Sequence, residues 1–302
     1  MKEHPMKEHP MKVTVIFLLT ALALSFVGAR DFHEFTNLKG VKIKAELLEM
    51  EDGIVRIRTR GRVFKIPLDT LSQEDRDWLA EWDARRKGDE EKLYYKDLIF
   101  QDDFSKDGFG EKWRHYKSES EVKDGVLIGK TVDINDHPGV DSIRFEGRQD
   151  MEVSVRFNFA GSEAERFNVW FDDKDYKGSH AGHICSISIS PTGGSISDAK
   201  TGNFQNEIYE KRKAGGELDE ETKKMLESKT ARFDLKLERE KWHDLLIRTK
   251  GDQVKATVDG KEVCALQSEG VAHPTKSVVS LTTNINDVQY DDFVVKAAPV
   301  SP

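Results

Sequence analysis

The sequence predicts a mainly β protein in which a small β-barrel precedes a larger antiparallel β-sandwich of the jelly-roll type. Short strand patterns separated by turn signals fill residues 41–67, which is typical of a small barrel. Roughly a dozen further strand patterns follow residue 100, and Met151–Phe159 alternates strictly between apolar and polar residues. Such alternation buries one face of each strand, so two packed sheets are expected.

The length of the chain limits the number of domains, and its net charge limits the classes of partner. The 302 residues suffice for one large domain and one small domain. Charged residues make up 34% of the chain and the formal net charge is -8, which argues against a nucleic-acid partner. The sequence contains no Rossmann fingerprint, phosphate-binding glycine loop or Ser/His/Asp order. A neutral ligand or a specific protein partner is therefore expected.

Residues 1–29 are predicted to be a leader that contains a signal peptide. Lys12 precedes the apolar run Val13–Val27, and Val27-Gly28-Ala29 resembles a small-residue cleavage site. This pattern predicts a secreted, periplasmic or cell-surface protein without a membrane span after cleavage, and an uncleaved anchor is the alternative. The phrase MKEHP occurs twice before Met11 restarts it, so the true start at Met1 or Met11 stays open.

Residues 30–82 are predicted to form the small barrel with a helix at its C-terminal end. Gly53 separates two strand patterns, and Ser72 with Asp75 has the spacing of a capping box that opens a helix. The charged residues 83–97 are expected to carry this helix into a linker.

This segment resembles the SLA1 homology 1 (SHD1) domain, as found in exported proteins of planctomycete-type bacteria. The resemblance rests on ARDFHEFTNLKGVKIKAELLEMEDGIVRIRTRGRVFKIPLDTLSQEDRDWL, with its Lys-x-x-Ala strand, its acidic-Gly turn and its Ile-Pro-Leu exit. The resemblance implies an SH3-like barrel. A protein or peptide partner is a candidate role for this barrel that the resemblance does not itself imply.

Residues 98–297 carry the sandwich pattern, with one interruption. Asp-Gly turns at Asp124-Gly125 and Asp259-Gly260 indicate hairpins between strand patterns. Residues 206–230 are instead highly charged and helix-forming, so we expect a helical insertion with a solvated surface. A lid over a neighbouring site is the alternative interpretation of this insertion.

The two cysteines, Cys185 and Cys264, give no metal-binding spacing. Cys185 shares a strand face with Ile187 and Ile189, which predicts a core position. A buried free thiol is favoured over a disulfide, because a domain of this size needs no covalent link.

Residues 100–296 resemble the concanavalin A-like lectin/glucanase fold, in particular the 3-keto-disaccharide hydrolase-like (DUF1080-like) family. The matching phrases include DDFSKDGFGEKW, VWFDDKDYKGSHAGHICSISISP, WHDLLIRTKGDQVKATVDGKEV and VQYDDFVVK. The resemblance implies a saccharide ligand, while the superfamily spans enzymes, lectins and domains without a ligand.

The stretch Phe167–Lys200 combines strand patterns with a loop of chemically versatile side chains, so we expect the functional site there. The ExDxE arrangement of family-16 glucanases is absent, and Asp291-Asp292 is interpreted as structural. If the protein is an enzyme, its catalytic candidates are Asp172, Asp173, His180 and His183.

Metal binding is a minor alternative for the same loop. The weak candidate ligands are Asp173, Asp175, His180 and His183, which could meet around one ion only through loop geometry. Calcium would suit an exported sandwich, although no EF-hand spacing supports it. We expect no cofactor.

Sugar recognition requires aromatic faces together with planar polar groups. The predicted ligand-binding residues are Arg166, Asn168, Trp170, Asp172, Tyr176, His180, His183 and His273. The leading hypothesis is a non-catalytic carbohydrate-recognition protein with an SHD1-like interaction module. The alternatives are a glycoside or 3-keto-disaccharide hydrolase-like enzyme and a structural module that bridges proteins of the cell envelope.

Overall fold

The computed structural model describes residues 31–300, which divide into two compact units at Arg86/Lys87. The predicted leader, residues 1–29, lies outside the described residues. Among the described residues, strands dominate, and none of the helices is long and apolar enough to cross a membrane.

The first unit is a four-stranded antiparallel sheet with strands in sequence order. Its strands are β1 (Phe32–Thr36), β2 (Lys42–Glu51), β3 (Ile54–Thr59) and β4 (Arg62–Pro67). A 3₁₀ turn and a bridge between Asn37 and Leu71 follow the last strand. The buried side chains of this unit form their own apolar core, which comprises Phe35, Ala45, Leu47, Val55, Ile57, Leu71, Leu79 and Trp82.

Helix α1 (Gln73–Tyr94) begins at the predicted capping box. The Ser72 hydroxyl accepts a hydrogen bond from the Asp75 backbone N–H at 3.2 Å, which satisfies a free donor of the first turn. The Asp75 carboxylate accepts a hydrogen bond from the Thr36 N–H at 2.6 Å and thereby ties the helix to β1. The segment 83–97, expected to be a charged linker, is helical as far as Tyr94.

The second unit is an antiparallel β-sandwich, as the sequence predicted. Its strands are β5 (Asp97–Asp102), β6 (Trp113–Tyr116), β7 (Glu121–Lys123), β8 (Val126–Gly129), β9 (Gly139–Arg148), β10 (Met151–Phe159), β11 (Phe167–Asp172), β12 (His183–Ser190), β13 (Gly193–Asp198), β14 (Thr230–Asp234), β15 (Trp242–Lys250), β16 (Gln253–Val258), β17 (Lys261–Gln267), β18 (Lys276–Thr283) and β19 (Val288–Ala297).

These strands form two sheets. The seven-stranded sheet has the order β14-β13-β12-β11-β18-β9-β6. The eight-stranded sheet has the order β17-β16-β15-β10-β19-β8-β7, and β5 pairs with β19. Alternate residues of both sheets point into a shared core, whose fully buried rings include Phe157, Phe159, Phe167, Phe171, Tyr290 and Phe293.

The charged insertion is helical, as predicted. Helices α2 (Asn206–Lys213) and α3 (Glu220–Ser228) connect β13 to β14. The Asp219 side chain caps α3 by accepting a hydrogen bond from the Thr222 N–H at 2.8 Å. Only Ile208 is buried among the residues of these two helices, so most of the insertion faces solvent.

Both cysteines are free in the described part of the chain. Cys185 lies in the sandwich core with no solvent exposure, and burial raises the pKa of its thiol to about 12. Cys264 lies on β17 of the other sheet. Cys185 therefore behaves as a packing residue.

Candidate functional site

Strand β11 lies at the centre of the seven-stranded sheet and separates its side chains into two sets. Phe167, Val169 and Phe171 are fully buried in the core, whereas Asn168, Trp170 and Asp172 lie on the opposite surface, here called the outer face. The register places Ser186 and Ser188 of β12 beside them, together with Ser280 and Thr282 of β18. The outer face thus offers an indole ring surrounded by hydroxyl and amide groups.

A register shift between β11 and β12 brings a histidine next to Asp172. Phe171 pairs with Cys185, but the next residue, Asp172, pairs with His183, so Ile184 is skipped. The His183 Nδ1 lies 2.7 Å from the Asp172 Oδ1. Because an ionised carboxylate can only accept, this bond assigns the hydrogen to Nδ1 and leaves Nε2 with its lone pair.

The pair is mostly shielded from water. The side chains of His183 and Asp172 are 19% and 13% exposed. Burial raises the pKa of the Asp172 carboxyl, and the hydrogen bond from His183 opposes that rise. A carboxylate held to an imidazole in this way fixes the tautomer and supports positive charge on the ring.

Aromatic rings surround the pair on the α2 side. The His183 ring lies 4.3 Å from Trp170, measured between ring centroids, and 4.9 Å from Phe204. Tyr209 of α2 stacks on His180 with a centroid distance of 3.9 Å and an interplanar angle of 11°. Phe204 and Tyr209 together form what we call the aromatic wall.

The pKa of His180 lies below its ordinary value. Burial is the main cause, and Lys213 and His183 nearby disfavour a positive charge on the His180 ring as well. A neutral imidazole can donate one hydrogen bond without carrying a charge. His137, on the loop before β9, also contributes to lowering this pKa.

Backbone hydrogen bonds hold the His180 loop in place. His180 N–H donates to the Phe204 carbonyl at 2.8 Å, and the Ser179 hydroxyl donates to the His183 carbonyl at 2.7 Å. The loop turns through a short 3₁₀ segment in which Gly182 has a φ of +74°. A Cβ at Gly182 would lie 2.1 Å from the Asp173 carbonyl oxygen, so this position requires glycine.

Asp173 belongs to a separate, buried network. Its carboxylate accepts hydrogen bonds from Thr275 Oγ1 at 2.6 Å, His273 Nε2 at 2.9 Å and Ser277 Oγ at 3.3 Å. Burial alone would raise the pKa of Asp173, but the hydrogen bonds from Thr275 and His273 lower it to about 2. This network joins the end of β11 to the start of β18.

The predicted site residues therefore fall into two groups. The outer face and its rim bring together Asn168, Trp170, Asp172, His180 and His183. Asp173 and His273, at 6% and 7% exposed, are instead buried in the hydrogen-bond network around the Asp173 carboxylate, where Tyr176 packs on His273. Arg166 is exposed just before β11 begins, and Asp175 forms a surface ion pair with Lys174.

The predicted metal ligands are not assembled around a common point. Asp173 pairs with His273, and His183 pairs with Asp172. Within residues 31–300, no group of three or more His, Cys, Asp and Glu side chains is arranged to hold a metal ion.

Three residues near the site were not identified from the sequence: His137, Phe204 and Tyr209. Tyr209 lies in the charged insertion, where a single aromatic residue gives no signal of contact with a distant loop. Its stacking on His180 depends on how α2 packs, which the local sequence does not encode.

A cavity of about 920 Å³ lies elsewhere on the sandwich, along β5, the start of β6 and the middle of β19. None of the predicted site residues lines it. Asp291, close to this region, forms an ion pair with Arg156 at 3.2 Å. On the outer face, the hydrogen-bonded pair of Asp172 and His183 adjoins the Trp170 ring and the hydroxyl groups of the neighbouring strands, so we place the candidate site there.

Comparison with known proteins identifies one family. A family model described as a 3-keto-alpha-glucoside-1,2-lyase-like domain matches residues 99–296. No curated protein sequence matches the chain.

Several solved structures are similar to the chain at low identity. A carbohydrate-binding module of Bacillus subtilis is 11% identical, with 62% of this chain and 96% of that chain covered and a TM-score of 0.43. An endo-beta-1,3-glucanase from Pyrococcus furiosus is 11% identical, with 68% and 95% covered and a TM-score of 0.45. A sialidase is 13% identical, with 66% of this chain but only 18% of that chain covered and a TM-score of 0.46. Similarity at this level does not assign an activity to the chain.

Replacing Asp173 with Asn is expected to lower the free energy of unfolding by about 2 kcal/mol at pH 7. The lowered pKa means that the stabilisation is present above the ordinary Asp value of 3.8 and is lost as the pH falls towards about 2. Roughly half of the difference between wild type and variant should remain at pH 3. Urea denaturation at pH 7 and pH 3 measures both values.

The matched control is Asp175→Asn, because the Asp175 side chain is 78% exposed in the same loop. Its free energy of unfolding should equal that of the wild type at both pH values. If the free energies of unfolding of wild type and Asp173→Asn differ by the same amount at pH 7 and pH 3, the lowered pKa of Asp173 is not the source of the stabilisation.

Proposed function

This chain belongs to the family of 3-keto-alpha-glucoside-1,2-lyase-like domains, and from that premise we propose that it cleaves 3-keto-glucosides by 1,2-elimination. The observation that carries the proposal is the hydrogen bond between His183 and Asp172 beside the Trp170 ring. The bond orients His183 as a base, and the Trp170 ring beside it offers a surface that suits the apolar side of a sugar ring.

The chemistry requires one base and no oxidant. A ketone at C3 of the sugar acidifies the hydrogen on C2, so the Nε2 lone pair of His183 can remove it as a proton. The electrons of the C2–H bond form the C1–C2 double bond, and the C1–O bond breaks with its electrons leaving on oxygen. The leaving oxygen takes up a proton, and the products are an unsaturated 3-keto sugar and a free alcohol.

Each surrounding residue has a role in this proposal. Asp172 orients His183 and stabilises the imidazolium that forms after proton transfer. His180, whose pKa is lowered by burial, donates a hydrogen bond to the negative charge that develops on the C3 oxygen. Trp170 holds the sugar ring, and Asn168 with the neighbouring serines binds its hydroxyl groups.

Recognition without catalysis is the second candidate function. It is favoured by the polar surface around Trp170, where Ser186, Ser188, Ser280 and Thr282 adjoin the indole in the register of the sheet. Hydroxyl groups and one aromatic ring are sufficient to bind a saccharide. Both candidates use the same outer face, so binding alone does not distinguish them.

We also propose that the chain is exported and that its first unit binds a protein or peptide of the cell envelope. The signal-peptide pattern of residues 1–29 supports export. An apolar groove of about 470 Å³, lined in part by Phe35, Leu38 and Val41, supports a peptide partner, as does the SHD1 resemblance.

Cross-linking of envelope fractions, followed by mass spectrometry of the chain, tests both the export of the chain and the partner of its first unit. The mature chain should begin at Arg30, and cross-links to envelope proteins should map to residues 35–71. A chain that keeps residues 1–29 in the cytosolic fraction, or cross-links confined to residues 98–297, would contradict them.

The elimination itself is tested with a 3-keto-α-linked diglucoside. Wild-type protein should release an unsaturated ketone that absorbs in the ultraviolet, and His183→Ala should lower kcat by about 100- to 10,000-fold, as loss of a general base does. Asp172→Asn should lower kcat with little change in KM, because it disturbs the base and not the sugar contacts.

Asp175→Asn is the control, since its exposed side chain lies outside the outer face, and it should keep wild-type turnover. Saccharide binding with no release of the unsaturated ketone would reject the lyase and favour the recognition function. Undiminished turnover in His183→Ala would reject His183 as the base.

A further inference from the structure

The two sheets of the sandwich are closed along one side and open along the other. On the closed side, the edge strands β14 and β17 contact each other, and Phe233 of β14 and Val263 of β17 pack against the core. On the other side, β5 pairs only with β19 and β6 pairs only with β9 among the described strands. Strands β5 and β6 therefore leave a gap between the sheets.

A groove follows this open side. The cavity of about 920 Å³ along β5 is continued by a second one of about 450 Å³, and both are lined by Ile99, Phe100 and Lys112. Ile143 and Phe145 of β9 form the far wall of the smaller cavity. Phe100 and Ile143 are buried, and the half-buried Ile99 and Phe145 pack against the same core, so the floor is apolar. We call the two cavities together the open groove.

Two strand edges that border the open groove have no strand partner within residues 31–300. Strand β6 covers β9 only from Val140 to Ile143, so Arg144–Arg148 extend beyond it. The six residues of β5 pair with β19 along one edge only. Such edges present rows of N–H and C=O groups that can pair with another extended chain. At about 3.3 Å per residue, they accommodate a segment of about five residues.

Exposed cations surround the smaller cavity. Lys112, Arg114 and Arg144 line it together with a single carboxylate, that of Glu111. The Arg114 guanidinium donates to backbone carbonyls, and the Lys112 ammonium lies 6.0 Å from the centre of the Phe100 ring, so none of the three cations forms a salt bridge in the described part of the chain. The rim of the groove is therefore positively charged, although the formal net charge of the chain is -8.

We propose that the open groove binds an extended segment of a partner protein in which acidic residues alternate with apolar residues, and that this segment pairs as a strand with the free edges of β5 and β9. Strand alternation directs the apolar side chains onto the floor over Phe100 and the acidic side chains towards Lys112, Arg114 and Arg144. None of the candidate site residues lines the groove, so this interaction is independent of the proposed function.

Binding of designed peptides to the full chain tests the proposal. Fluorescence anisotropy compares a labelled peptide of alternating glutamate and valine with one of alternating lysine and valine. The acidic peptide should bind at least about tenfold more tightly, because the rim attracts carboxylates and repels ammonium groups. An acidic peptide with N-methylated backbone nitrogens keeps its side chains but has no N–H donors, and its affinity should also be about tenfold lower.

Charge reversal on the rim should act on the same binding. Lys112→Glu and Arg144→Glu should each weaken binding of the acidic peptide about three- to tenfold and strengthen binding of the basic peptide. Lys261→Glu is the matched control, because Lys261 is exposed on β17 along the closed side and the substitution changes the net charge equally. This variant should keep the wild-type affinities.

Absence of binding by the acidic peptide, or equal affinity for the acidic and the basic peptide, would overturn the proposal. Undiminished binding by Lys112→Glu and Arg144→Glu, or by the N-methylated peptide, would overturn it as well. If sedimentation shows instead that the chain forms a dimer which Arg144→Glu dissociates, the groove holds a second copy of the chain and the acidic partner is rejected.

Discussion

The candidate site depends on the register shift between β11 and β12. In a regular antiparallel ladder, Asp172 would lie opposite Ile184, an apolar residue. The shift skips Ile184 and brings His183 opposite Asp172, at a distance that forms a hydrogen bond. Irregularities of this kind re-aim side chains next to functional sites. Without it, the outer face would have an aromatic ring and hydroxyl groups but no oriented base.

The end of β11 also separates two histidine–aspartate pairs by strand alternation. Asp172 points to the outer face and pairs with the half-buried His183, whereas Asp173 points inward and pairs with the buried His273. The inner pair has three further hydrogen bonds to its carboxylate, which anchor the loop that carries His180. The pair of Asp173 and His273 therefore supports the structure of the loop, while the pair of Asp172 and His183 lies on the outer face.

Much of the fold could be predicted from the sequence, because alternation and turn residues are local signals. Met151–Phe159 and the Asp-Gly turns indicated the sandwich, and acids before bases indicated the helical insertion. The arrangement of the candidate site could not be predicted from the sequence. Four loop residues were grouped as candidates, yet the direction in which Asp172 and Asp173 point depends on where β11 ends. The stacking of Tyr209 on His180 depends on tertiary packing, which no local pattern encodes.

The central claim is that His183 removes the proton from C2 of a 3-keto sugar. The most direct measurement is deuterium exchange at C2 in heavy water, followed by nuclear magnetic resonance on the substrate that has not yet been cleaved and on the product. The account predicts that wild-type protein removes the C2 hydrogen much faster than the protein-free solution does, and that His183→Ala loses this acceleration. A C2 hydrogen that the wild type leaves untouched, or removes equally fast without His183, would contradict it.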